Sequence, residues 1–248
     1  MTDSLPLPSA LALQVEQAGR AEFDIGLRLA LDPALLDAMR RPRLTLLWGT
    51  LAPTRTLLAA ATALVAGGTP VRLFDGGNAF DGYFVARLAR RLARPTAPES
   101  LPDPSPQTPG TFGQDGPRQA LSRLRLSRAF TCFQLAELIE SAPVGPEPLF
   151  VLDLLATFYD ESVPLRDGER LLGTTLTHLK RLAAAAPVLV GAHEPQTLVT
   201  PRPSAEGLTV GRGVKERWRL LDDLQAAADT AWMLRAPEPE AVQQMRMF

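Results

Sequence analysis

Short, continuously apolar runs alternate with amphipathic stretches along most of the chain. Leu44-Thr45-Leu46-Leu47-Trp48 is the pattern of a strand buried on both faces, and Pro70–Phe74, Pro148–Asp153 and Pro187–Gly191 are built the same way. Leu124–Phe130 alternates Leu with Arg, and Thr230–Leu234 completes the set of predicted strands. Between them, Thr56–Ala66 is rich in Ala and Leu and predicts a buried helix that Gly67-Gly68 stops. Asp81–Leu92 puts Phe84, Val85, Leu88, Ala89 and Leu92 on one helix face, with Arg87, Arg90, Arg91 and Arg94 opposite. Further helices are predicted over Gln134–Glu140, Gly168–Ala185 and around Leu220–Ala228, and Asp32-Pro33 is a helix opening, an N-cap followed by proline at the first turn.

Strand and helix alternate about every thirty residues, the rhythm of right-handed βαβ crossovers. The predicted fold class is α/β, a mostly parallel central sheet with helices on both faces. Residues 1–40 form an N-terminal segment, 41–235 one α/β domain, and 236–248 a C-terminal tail. Prolines crowd residues 93–118, which predicts a flexible insertion. Thr197–Pro201 and Leu208–Val210 read as short β-type segments.

Composition narrows the function classes. Apolar residues make up 46% and charged residues 21%, enough for a substantial core. Lys+Arg is 26 against Asp+Glu 27, a net charge of -1, so no global positive field holds nucleic acid or an anionic membrane. Lys180 and Lys215 are the only lysines, the mark of a GC-rich genome. One cysteine, Cys132, excludes an internal disulfide framework, and two histidines, His178 and His193, exclude a histidine-rich metal centre. The longest apolar run, Leu57–Ala66, is about half of a membrane span. No basic leader precedes Arg20, so the expected location is cytoplasmic, with no membrane partner.

In a parallel sheet, ligands bind at the carboxyl ends of the strands. The first strand-to-helix loop, Gly49-Thr50-Leu51-Ala52-Pro53-Thr54-Arg55-Thr56, nearly matches the phosphate-binding pattern G-x-x-x-x-G-K-[ST]. Thr54 stands for its second glycine and Arg55 for its lysine. Thr54 puts a branched side chain where the backbone should approach a phosphate, Pro53 removes an N–H, and Arg55 is longer and planar. Thr56 keeps the hydroxyl expected for magnesium. Leu149-Phe150-Val151-Leu152-Asp153 ends in the carboxylate that such proteins aim at magnesium. Gly49, Thr54, Arg55, Thr56 and Asp153 are therefore the candidate nucleotide-binding residues, with Thr56 and Asp153 as metal ligands. The competing readings are a vestigial turn with Arg55 in a salt bridge, and an Asp153 that caps the next turn.

Taken in order, these segments resemble the RecA/RadA recombinase superfamily of phosphate-loop ATPases. Val71–Phe80 is similar to that family's second core strand, Leu126-Ser127-Arg128-Ala129-Phe130 to its "y-A-R-A-F" strand, and Asp229-Thr230-Ala231-Trp232-Met233-Leu234 to its late strand. The resemblance implies ATP and magnesium as cofactors, and a place in DNA repair or recombination, assembling with itself or with a RecA-like relative. It also exposes departures. The family's water-activating glutamate falls at Gly77, with Asp81 one helical turn off the expected place, and its Asn-Gln sensor falls at Gly191-Ala192-His193. Losing one transition-state contact of this kind costs about 10²–10³ in rate, so several losses imply a pseudo-ATPase with no catalytic residue. His193 is a candidate sensor, or else a packed strand-end residue.

The family's DNA loops follow the sensor strand, where Arg202 and Arg212 are the candidate DNA-binding residues. The arginines of 87–94, with Arg118, Arg123, Arg125 and Arg128, admit a phosphate-binding patch, but a solvated face is the commoner reading. Two other functions remain open: an active ATPase that uses Arg55 and borrows its base from a neighbouring subunit, and a protein scaffold with no nucleotide or DNA role.

Overall fold

A computed structural model describes residues 32–50, 53–92, 112–195 and 212–234. The short helix α1 (Pro33–Ala38) leads into β1 (Leu44–Gly49) and α2 (Pro53–Ala66). Next come β2 (Val71–Asp75), α3 (Gly82–Leu92), α4 (Phe112–Ser122) and β3 (Leu124–Arg128). The second half runs α5 (Cys132–Ser141), β4 (Leu149–Leu152), α6 (Leu165–Ala183), β5 (Val188–Ala192), α7 (Arg212–Ala227) and β6 (Thr230–Leu234).

All six strands are parallel, in the order β3-β2-β4-β5-β1-β6. The chain leaves β1 in one direction, towards β2 and β3, and returns in the other through β4 and β5 to β6. Right-handed crossovers put helices from the outward path on one face and helices from the return path on the other. Two cores result, one on each face. Leu47, Leu73, Phe150 and Leu189 point into the core under α2 and α3. Leu46, Trp48, Val151 and Val190 point into the core under α5, α6 and α7. The period-2 alternation of a strand explains how one apolar run feeds both. An all-parallel sheet of this kind is common to Rossmann-like and phosphate-loop folds.

Several boundaries differ from the sequence reading. Helix α2 opens at Pro53, three residues early, because proline's fixed φ suits the first turn. Helix α4 occupies 112–122, a stretch read as loop up to residue 118. Its interior Pro117 should disfavour a helix, yet Pro117 and Ala120 are buried, and α4 packs on α2 and α3. Tertiary burial outweighs the lost hydrogen bond. Helices α6 and α7 also begin earlier than expected, at Leu165 and Arg212. The N-terminal segment through residue 31, most of the insertion, the two short β-type segments, Arg202 and the C-terminal tail lie outside the described residues. Among the described residues, no helix is long and apolar enough to cross a membrane.

Candidate functional site

The helices that follow the neighbouring strands β5 and β1 lie on opposite faces of the sheet, which leaves a crevice at the carboxyl ends of β1, β5 and β4. The sequence candidates Gly49, Thr54–Thr56, His193 and Asp153 all fall there, at the ends of these three strands or on the helix that follows β1. Since β5 lies between β1 and β4, the ends of β1 and β4 are two strand spacings, about 10 Å, apart.

Gly49 ends β1 with φ 126°, a conformation that side chains disfavour, and a Cβ there would collide with the Leu234 carbonyl of β6. Close packing against β6 therefore accounts for this glycine without a ligand. Thr54 sits in the first turn of α2, 7% exposed, with a buried hydroxyl that has no hydrogen-bond partner among the described residues. The N-terminal N–H groups of a helix and this hydroxyl are both suited to an anion. Thr56 is buried and lines a cleft of about 220 Å³ beside Leu35, Leu47, Trp232 and Leu234, on the α1 and β6 side of α2.

Arg55 turns to a carboxylate. Its Nη1 donates to Asp81 Oδ2 at 2.7 Å, and its guanidinium lies 5.0 Å from the centre of the Phe84 ring. Asp81 Oδ1 accepts the Phe84 N–H at 2.9 Å and so caps α3. Burial alone would raise the Asp81 pKa, but the hydrogen bonds from Arg55 and the Phe84 backbone prevail and hold it below the ordinary carboxylate value.

Asp153 follows β4 with φ 49°, in the left-handed region that Asp tolerates better than most residues. Its Oδ2 lies 3.0 Å from His193 Nδ1, and its Oδ1 accepts the His193 N–H at 3.3 Å. The side-chain bond to Asp153 raises the His193 pKa against the opposing effect of burial. Tyr159 donates its hydroxyl to the His193 carbonyl at 3.2 Å; burial, then the charge of Asp153, pushes its own pKa up and keeps it neutral.

The glycines around Asp153 explain the position where the family resemblance expects glutamate. A Cβ on Gly77 would lie 2.8 Å from Asp153 Cβ and 2.9 Å from its Oδ2. Any side chain at 77 would displace the Asp153 carboxylate. Asp75, fully buried at the end of β2, serves the neighbouring turn: it accepts the Ala79 and Phe80 N–H groups at 2.9 and 3.1 Å and pairs with Arg128 at 3.4 Å.

The structure thus joins Asp153 with His193, and Arg55 with Asp81: the salt bridge weighed for Arg55 is present, and its partner is the aspartate that sequence reasoning considered only as a distant substitute for a missing base. Among the described residues no group of three or more His, Cys, Asp and Glu side chains could hold a metal ion. Sequence reasoning gave Tyr159 no role at the site; it figures there only within the stretch Ala156-Thr157-Phe158-Tyr159 after Asp153, which resembles the family's. Arg212 opens α7. No family model matches the chain, and no curated protein matches it.

Proposed function

We propose that the chain is a RecA/RadA-like protein with a degenerate nucleotide site, which serves DNA repair or recombination by binding and assembly and not by turning over ATP. The observation that carries the reading is the 2.7 Å ion pair between Arg55 and Asp81. The one cation in the altered phosphate loop is spent on a neighbouring helix cap, so a transferring phosphoryl group would have to break that pair to gain a counter-charge. The Asp153 carboxylate is likewise engaged by His193, whose imidazole stands at the end of β5 between β4 and β1. A magnesium ion bound there would have to displace it.

Binding capacity is best kept at the start of α2. The unpartnered Thr54 hydroxyl and the helix N-terminus suit a phosphate, and ATP with magnesium is the cofactor pair to be tested there. The partners proposed are a second copy or a RecA-like relative, and DNA.

Equilibrium binding of a fluorescent ATP analogue, with and without magnesium, on wild type and on Thr54→Val and Arg55→Ala, tests the nucleotide half. Weak binding that Thr54→Val abolishes, with no phosphate release from ATP, is expected. Magnesium-dependent phosphate release that Arg55→Ala abolishes would instead establish the active ATPase. Absence of both nucleotide and DNA binding would leave a protein scaffold.

A further inference from the structure

Strand β6 is outermost in the sheet beside β1, and its other edge pairs with nothing among the described residues. N–H and C=O groups open along that side are a ready template for one more strand. Its side chains alternate between the two faces. Trp232 and Leu234 pack against the core under α2 and α3, whereas Ala231 and Met233 are exposed on the opposite face. The cleft of about 220 Å³ opens beside this edge, and Asp32 and Leu35 line it together with Trp232 and Leu234. That volume is below the roughly 300 Å³ of the smaller ligand pockets and suits aliphatic side chains.

The chain itself supplies such side chains. Ile25, Leu27, Leu29 and Leu31 alternate with Gly26, Arg28 and Ala30, the period of a strand with one apolar face. This stretch lies outside the described residues and leads directly into Asp32, a residue of the cleft wall. We propose that residues 25–31 form a further parallel strand, which pairs with the free edge of β6 and turns its apolar side chains to the cleft. It stands apart from the nucleotide and DNA reading.

Direction follows from the place of Asp32. It shares the cleft with Leu234, the last residue of β6, and with Thr56 near the start of α2, so it lies towards the carboxyl edge of the sheet. A strand that arrives at Asp32 from within the sheet therefore runs the same way as β6. Handedness agrees. From the new strand through α1 to β1, the chain moves along the sheet in the same direction as from β1 through α2 to β2. Leu35 and Met39 join the core that α2 covers, so both crossovers lie on one face and share the right hand.

The faces match as well. With Leu31 beside Leu234, Leu29 falls beside Trp232 and Leu27 beside Thr230, all on the cleft side. Arg28 and Ala30 then fall beside Ala231 and Met233, on the side that β6 leaves in water. A slip of one residue would turn every aliphatic side chain to solvent. The segment after Leu234 is a poorer occupant: Pro237 and Pro239 interrupt it, and Val242, Met245 and Met247 do not keep one parity.

The test is disulfide trapping in the full chain. Arg28→Cys with Ala231→Cys sets two thiols side by side on the solvent face, within the Cα separation of about 4.4–6.8 Å that a disulfide spans. Leu29→Cys with Ala231→Cys sets them on opposite faces. Mild oxidation should close an intramolecular bridge in the first pair and about tenfold less in the second, read on non-reducing gels and by peptide mass. Cys132 is buried and stays in place in both. Leu29→Asp should lower Tm by about 5 °C and speed amide exchange in β6, whereas Arg28→Asp should do neither. Equal bridging in the two pairs, or none in the first, would overturn the strand and its register. Bridges between molecules and not within one would replace it with an exchange between copies. Exchange in β6 that Leu29→Asp leaves unchanged would show that another segment, or water, meets this edge.

Discussion

Arg55 and Asp81 meet at 2.7 Å although 26 residues separate them, and the same carboxylate caps α3 through its other oxygen. One aspartate thus ties the first turn of α2 to the first turn of α3. A cation that the sequence aligns with a phosphate-binding lysine is a structural tie between two helices on the same face of the sheet. The pair is about one-third exposed, so its attraction is partly screened.

Asp81→Ala should therefore cost more than Arg55→Ala. The first removes a helix cap and an ion pair, about 1–2 kcal/mol together; the second removes the screened pair and a cation–π contact, about 0.5–1 kcal/mol. Urea unfolding of both single variants and the double variant measures the difference. A cycle with no coupling energy would contradict the pairing.

The bond between His193 and Asp153 predicts a pH dependence of stability. The folded pKa of His193 is raised above the ordinary imidazole value of 6.5, so the stabilisation is fully present below that value and is lost as pH rises through the folded pKa. The Tm gap between wild type and His193→Gln should be widest in mildly acidic buffer and should shrink towards alkaline pH. A gap that widens with alkalinity would reverse the sign and reject the charged pair.

Installing the glutamate that the RecA/RadA resemblance expects should fail. Gly77→Glu puts a Cβ 2.8 Å from that of Asp153, an overpacking that costs about 1–3 kcal/mol, and no phosphate release should appear. Pairing it with Asp153→Gly, which removes the colliding side chain, should recover most of the lost stability. Thermal unfolding and a phosphate-release assay read both outcomes.

Arg72 supplies a purely structural prediction. It is 8% exposed within β2, and its Nη1 donates to the Pro143 carbonyl at 2.7 Å, with Nη2 reaching the Glu147 carbonyl at 3.4 Å. These bonds pin the loop between α5 and β4. Burial lowers its pKa, the nearby Glu147 charge partly offsetting this. Arg72→Met fills the space but strands both carbonyls, and should cost about 2–3 kcal/mol by chemical denaturation.

The sequence by itself determined where the strands and most helices lie. Leu44–Trp48 and Leu149–Leu152 are legible because a strand covered on both faces must be apolar at nearly every position, a local property. Their alternation with helices was enough to give a parallel α/β sheet. It also brought Gly49, Thr54, Arg55, Thr56, Asp153 and His193 under suspicion, since each follows a strand's carboxyl end. Only the tertiary structure decided what those residues touch. Strand order is not written in any one segment, and it is the position of β5 between β1 and β4 that sets His193 against Asp153, 40 residues away in sequence. The turn after β2 likewise delivers Asp81 to Arg55. Helix α4 was hidden for the same reason: Pro117 argues against a helix locally, and only burial against α2 and α3 repays it. Local periodicity fixes elements, whereas partners, burial and the charge state of a side chain depend on neighbours that the order of the sheet brings together.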